Sequence, residues 1–134
     1  MTKYLFDTNI ISYFIGGKYP SLNEQILRLL PEQRFINWVV QQELMYGVFR
    51  KERLDLEARY KSFFEVCNLI QSDFEIVEIA AKLEVLLDNK GESVGLEDIW
   101  IGATCLSKNM ILITNNEKHF QKIPNLKIEN WIKE

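Results

Sequence analysis

Lys3-Tyr4-Leu5-Phe6-Asp7-Thr8-Asn9 sets a short apolar run directly against a carboxylate. Its length and its aromatic content predict a strand over Lys3–Phe6. A charge at the end of a buried strand is costly unless it is partnered, so Asp7 marks a place where the fold must supply partners. Met110-Ile111-Leu112-Ile113-Thr114-Asn115-Asn116 repeats the design near the other end, with apolar β-branched residues running into a polar cluster. Between and beyond them, Arg34–Trp38 (RFINW), Phe74–Val77 (FEIV) and Leu126–Ile128 read as three further strands.

The intervening segments carry helical period. Ser21-Leu22-Asn23-Glu24 reads as a capping box ahead of Ile26, Leu27, Leu29 and Leu30. Helices are predicted over Gln41–Lys51, Leu54–Ile70, Glu78–Asn89 (with Gly91 just past its end) and Glu97–Lys108. Strand and helix alternating along one chain give an α/β fold, a parallel sheet covered on both faces. Such sheets bind ligands at the carboxyl ends of their strands, and the residues after each strand therefore carry the functional question.

The chain has 134 residues, 47% hydrophobic and 26% charged, which is the size and balance of one globular domain, residues 1–134. The opening MTKYLFDTN has too short an apolar run for a signal peptide or a membrane span. Cys67 and Cys105 stand among apolar residues in no metal-binding or redox pattern; they read as reduced core thiols, and a cytoplasmic location is expected. Net charge is −3. That argues against a protein held to nucleic acid by nonspecific charge alone, but not against a nuclease whose carboxylates are offset by a cation. Gly16-Gly17-Lys18 lacks the spacing of a phosphate-binding loop, and no GxGxxG, GxSxG or HExxH pattern occurs.

Acidic and amide groups follow the strands where a parallel sheet would gather them: Asp7, Glu43 in the helix after the second strand, Glu97-Asp98, and Thr114-Asn115-Asn116-Glu117. Crowded carboxylates repel and raise one another's pKa. A hard divalent cation reverses this, taking oxygen ligands and several waters, and it can polarise a phosphate and acidify water. Asp7, Glu43 and Asp98 are the candidate metal-binding and catalytic acids, with Thr114 placed to hydrogen-bond them. Asp98 also has a purely structural reading, since an acid in a helix's first turn favours its dipole.

Four stretches carry a resemblance: Leu5–Asn9, Gln42–Gly47, Gly95–Ala103, and Ile113–Asn116 with Phe120. In this order and at these intervals they resemble the PIN domain, and more narrowly the VapC toxins of toxin–antitoxin pairs; the likeness extends to Ile128-Glu129-Asn130-Trp131. The resemblance implies a three-layer α/β/α sandwich around a mostly parallel four- or five-stranded sheet. It implies a metal-dependent endoribonuclease using Mg²⁺, with Mn²⁺ as the alternative, on RNA such as transfer RNA. It implies a VapB-like antitoxin partner and a homodimer. Asp7, Glu43 and Asp98 match the family's metal-binding acids, Thr114 the supporting hydroxyl, and Asn116 the region of a more variable fourth acid.

Three departures stand out. Asn116 is neutral, so a fourth carboxylate requires Glu117 to reach inward. His119, the one histidine, precedes Phe120 where many such chains carry an acid; as a ligand it would favour Mn²⁺, and as a residue of an exposed turn it would be inert. Val40 occupies a place where the family often has a Thr or Ser cap, which moves the expected helix start to Asn37 or leaves the cap weak. These departures keep two rivals open: a catalytically impaired PIN-fold module that binds RNA or protein, and another Mg²⁺-dependent phosphotransfer enzyme on a similar sheet. The basic residues Arg50, Lys51, Arg53, Arg59 and Lys61 are interrupted by Glu52, Asp55 and Glu57 and read chiefly as a solvated, ion-paired helix face. Contact with an RNA backbone is the other reading.

Overall fold

A computed structural model describes residues 1–133. Five strands, β1 (Tyr4–Phe6), β2 (Arg34–Asn37), β3 (Asn68–Ile70), β4 (Ile111–Ile113) and β5 (Ile128–Glu129), form one sheet in the order β3-β2-β1-β4-β5. Every pairing is parallel. Seven helices connect and cover it: α1 (Thr8–Gly16), α2 (Pro20–Leu27), α3 (Trp38–Arg50), α4 (Leu54–Glu65), α5 (Phe74–Lys90), α6 (Leu96–Lys108) and α7 (Glu117–Phe120). Leu5 and Phe6 point to opposite faces of the central strand and both are fully buried, as are Leu112 and Ile113 beside them. Both faces of the sheet are thus covered, the α/β/α arrangement expected from alternating elements.

The chain leaves β1 toward β2 and leaves β4 toward β5, in opposite directions across the sheet. The crevice between the carboxyl ends of β1 and β4 is therefore the topological switch point, where open α/β sheets bind ligands. Register pairs Phe6 with Ile113, and the Asp7 amide donates to the Ile113 carbonyl at 3.0 Å. The next residues of the two strands, Asp7 and Thr114, are thereby set side by side.

Local chemistry explains most boundaries. Asp7 caps α1, and Gly17, left-handed at φ 66°, ends it. Asn37 caps α3 by accepting from the Val40 amide at 3.0 Å, which places the start three residues ahead of Val40. Its own amide donates to the buried Thr104 hydroxyl, tying β2 to α6. Gly102 of α6 lies under Ile123; a Cβ there would come within 2.7 Å of Ile123 Cδ1. The absence of a side chain lets the segment after α7 lie close on α6.

Three local expectations are corrected. Phe74–Val77 is the first turn of α5, not a strand: Asp73 accepts from the Ile76 amide, and of the four residues only Ile76 is buried, a helical rather than an alternating pattern. The third strand instead lies at Asn68–Ile70, inside the segment predicted as the end of a helix; α4 stops at Glu65. This edge strand is mostly exposed, so no hydrophobic alternation advertises it. Ser21 is no cap. α2 opens one residue earlier, at Pro20, whose fixed φ suits the first helical position, and the Ser21 hydroxyl is buried without a partner.

Candidate active site

At the switch point both oxygens of the buried Asp7 carboxylate are engaged. The Thr8 amide donates to Oδ1 and the Thr114 hydroxyl donates to Oδ2, each at 2.8 Å. The Thr114 oxygen accepts in turn from the Asn116 amide at 2.9 Å. Burial pushes the Asp7 carboxyl above its ordinary range; the two hydrogen bonds pull it back, and the charge of Asp98 pushes it up again.

Glu43 comes from the second turn of α3, where the helix passes the start of α1. The Thr8 hydroxyl donates to Glu43 Oε1 at 2.8 Å. Thr8 thus serves two acids, one through its amide and one through its side chain. Burial raises Glu43 as well; Thr8 opposes this, and the charges of Asp7, Asp98 and Glu97 add to it. Asp98 stands in the first turn of α6 and is raised by burial against the opposing pull of His119, with Glu97 adding repulsion. His119 Nδ1 lies 3.2 Å from Asp98 Oδ2 and 3.0 Å from Asn116 Nδ2. A protonated Nδ1 donates to the carboxylate, and a bare one accepts from the amide.

The structure therefore brings Asp7, Glu43 and Asp98 into one electrostatic neighbourhood with Thr114 behind Asp7. Asn116 and His119 lie beside Asp98. Glu117 stays exposed at the start of α7 and, among the described residues, bonds none of the three acids. Two residues escaped the sequence reading. Thr8 carries its signal in Asp7-Thr8, a hydroxyl directly after a strand-ending acid. Glu97, grouped in the sequence with Asp98 but not a candidate ligand, adds its charge to both Glu43 and Asp98.

Three desolvated carboxylates with raised pKa values make a hard-oxygen donor set, the chemistry that suits Mg²⁺ or Mn²⁺. Among the described residues no three Asp, Glu, His or Cys side chains converge tightly enough to hold an ion by direct contact alone.

The PIN-domain family profile matches residues 4–126. The chain belongs to the PIN-domain family. Ribonuclease VapC1 of Haemophilus influenzae is 31% identical to this PIN domain, over 97% of this chain and 98% of its own. The tRNA(fMet)-specific endonuclease VapC of Shigella flexneri is 26% identical over 98% and 99%. The solved VapBC-1 structure from nontypeable Haemophilus influenzae superposes with a TM-score of 0.86, at 30% identity, covering 97% of this PIN domain and 98% of its own chain. The parallel five-stranded sheet is the PIN arrangement, and the expected fold class stands.

Proposed function

We propose that this chain is the endoribonuclease toxin of a VapBC-type pair, cutting RNA phosphodiester bonds with the help of Mg²⁺ or Mn²⁺. One observation carries the metal-dependent part: Asp7, Glu43 and Asp98 meet at the switch point although burial and mutual repulsion oppose their charges. A protein keeps such a cluster against its electrostatic cost when a cation repays it. When bound, that cation supplies a Lewis acid and acidified water for phosphate hydrolysis.

The chain's own residues supply position and proton handling. Thr114 and the Thr8 amide fix both oxygens of Asp7. The Thr8 hydroxyl fixes Glu43 Oε1 and leaves Oε2 free to take the proton released as water adds to phosphorus. The bond from phosphorus to the 3′ oxygen then breaks, and the 3′ oxygen takes a proton from solvent, leaving a 5′-phosphate and a 3′-hydroxyl. RNA that presents an unpaired loop can enter the cleft more readily than a duplex, and the transfer-RNA specificity named for the Shigella relative makes transfer RNA the first substrate class to try.

An antitoxin of VapB type is the proposed partner, as in the VapBC-1 pair. α3 offers the surface: Met45, Tyr46 and Phe49 line an open groove of about 580 Å³ with Gln42 and Arg50. Tyr46 and Phe49 are both more than half exposed, and such apolar patches mark protein contacts. A homodimer follows from the family likeness. Among the described residues no helix is long and apolar enough to cross a membrane. Two free cysteines, with the Cys67 thiol pushed up to about 12 by burial, suit a reducing cytoplasm.

The test uses purified chain freed of any partner and a mixed transfer-RNA pool, comparing Mg²⁺, Mn²⁺ and excess EDTA, with Asp98→Asn alongside. Metal-dependent cleavage lost in the variant supports the reading. The neutral Asn116 and His119 beside Asp98 favour the binding-only module as the second reading. It predicts intact RNA under all three conditions and no metal binding. Intact RNA with cleavage of a small phosphate ester would instead mean a phosphotransfer enzyme.

A further inference from the structure

A cleft of about 200 Å³ runs from Glu43 of the acid cluster along α3 toward α4. Thr8 and Glu43 line one end, Ser12 and Tyr60 a wall, and Lys51 and Arg53 the other end. Glu43 and Lys51 are eight residues apart on α3 and its cap, so about 12 Å separates the two ends at 1.5 Å per residue. A few nucleotides of extended strand bridge that distance. Apolar Leu44, Val48 and Leu56 share the lining with polar groups, and the buried Tyr60 donates to the Ser12 hydroxyl at 3.4 Å.

The loop between α3 and α4 is built to place the two cations. Glu52 takes a left-handed conformation at φ 53°, uncommon for a residue with a side chain. The Arg53 amide donates back to the Val48 carbonyl at 2.9 Å. Within three residues the chain reverses, and Lys51 and Arg53 both line the cleft while Glu52 between them does not. Among the described residues Lys51 joins no ion pair. Arg53 binds Asp55 through Nε and Nη2, which leaves Nη1 for another acceptor. The expected solvated, ion-paired face is seen at Lys61, paired with Glu57, and at Arg53, paired with Asp55, while Lys51 is exposed and joins no ion pair among the described residues.

A chain of net charge −3 with an acid cluster at its centre repels a polyanion. Lys51, with no ion pair among the described residues, and Arg53, with Nη1 open beside its pairing to Asp55, offset this at the far end of the cleft that contains Glu43. We propose that Lys51 and Arg53 form a phosphate subsite that holds the RNA backbone a few nucleotides from the scissile bond. The subsite rests on the ribonuclease reading, and it acts by charge on phosphate rather than by reading bases.

The test is binding without chemistry. A fluorescein-labelled single-stranded RNA is titrated with the full chain in EDTA across a salt series, and anisotropy gives the affinity. Lys51→Gln/Arg53→Gln is compared with wild type and with Lys82→Gln/Lys90→Gln on α5, outside the cleft; circular dichroism and melting confirm each fold. For single strands each phosphate contact contributes roughly 0.7 to the slope of log affinity against log salt. The cleft variant is expected to bind more weakly and to lose about 1.4 from that slope, equally for different RNA sequences, while the α5 variant keeps the wild-type slope. With Mg²⁺ the cleft variant should cut at a raised KM and near-normal kcat. An unchanged slope overturns the subsite, and does so even where cleavage stands. Weaker binding of poly-glutamate with RNA binding intact would assign the cleft to an acidic protein segment and also overturn it. Absence of cleavage in wild type alongside the slope change would remove the nuclease and keep the subsite.

Discussion

The two ends of the acid cluster are held in different ways. Asp7 is buried on the rigid carboxyl edge of the sheet, 7% exposed, one oxygen accepting from Thr114, placed by the β1–β4 register, and the other from the Thr8 amide that opens α1. Asp98 is half-buried on a helix, and among the described residues its side chain hydrogen-bonds one partner, the exposed ring of His119. One end is pre-organised by backbone pairing. The other is adjustable through a surface side chain. Ligand sites gain from a rigid anchor, because geometry fixed before binding costs nothing at binding, and the adjustable end can then follow the ligand.

The largest effect tests whether both ends belong to one site. If the proposed metal site is right, Asp7→Asn and Asp98→Asn should each lower RNA cleavage by on the order of a hundredfold or more, since losing a proposed metal ligand exceeds the 10–100-fold typical of losing its support. Single-turnover cleavage of transfer RNA reads this, and retained activity in either variant would detach that acid from the site. Next comes the anchor itself. Thr114→Val removes the hydroxyl from Asp7 and orphans the Asn116 amide; activity should fall by roughly 10–100-fold, and stability by about 1–3 kcal/mol. Urea unfolding checks the second figure, and wild-type stability would mean that Asp7 needs no such anchor.

The electrostatic cost of the cluster gives a smaller, signed effect. For Asp7, Glu43 and Asp98 the folded pKa lies above the unfolded one, so between the two values the folded state holds more protons. Their contribution is destabilising above the folded pKa and disappears below the unfolded value. Metal-free protein should therefore gain stability from these groups as pH falls through their raised pKa values. Glu43→Gln is the cleaner probe than Asp7→Asn, because Gln Oε1 still accepts from Thr8, whereas an Asn at position 7 turns one of two acceptors into a donor. The Gln variant should melt a few degrees higher at neutral pH without metal and show a flatter pH dependence; a lower melting temperature would make Glu43 a structural residue. The smallest effect falls at the adjustable end. His119→Ala should cost less than about tenfold in activity, below the range of a buried supporting residue. A loss as large as that of Asp98→Asn would make the ring part of the rigid machinery.

What the sequence disclosed follows the same division. Strands buried on both faces are short apolar runs, and a polar residue at their end has nowhere to hide, so Asp7 and Thr114 were legible. Asn37 as the cap of α3 was legible too, once Val40 was seen to be unable to serve. The edge strand Asn68–Ile70 was not, because exposure removes the pattern that reports it. Phe74–Val77 looked like a strand because β-branched and aromatic residues dominate it, but Asp73 had already committed its amides to a helix. The service of Thr8 to both Asp7 and Glu43 depends on α1 and α3 packing together, a contact across 35 residues that no local spacing encodes. Lys51 and Arg53 came to line one cleft only through the left-handed Glu52 between them, which local spacing does not encode.

Asp7 also starts α1, and this ties descent to chemistry. A lineage that abandons cleavage cannot discard the residue freely, because the helix would lose its cap. Asn, Ser and Thr keep the cap but not the full negative charge. Chains that have drifted to pure binding should therefore carry one of these three at position 7 far more often than alanine or leucine, leaving a record of the lost reaction in the stability of the fold that outlived it.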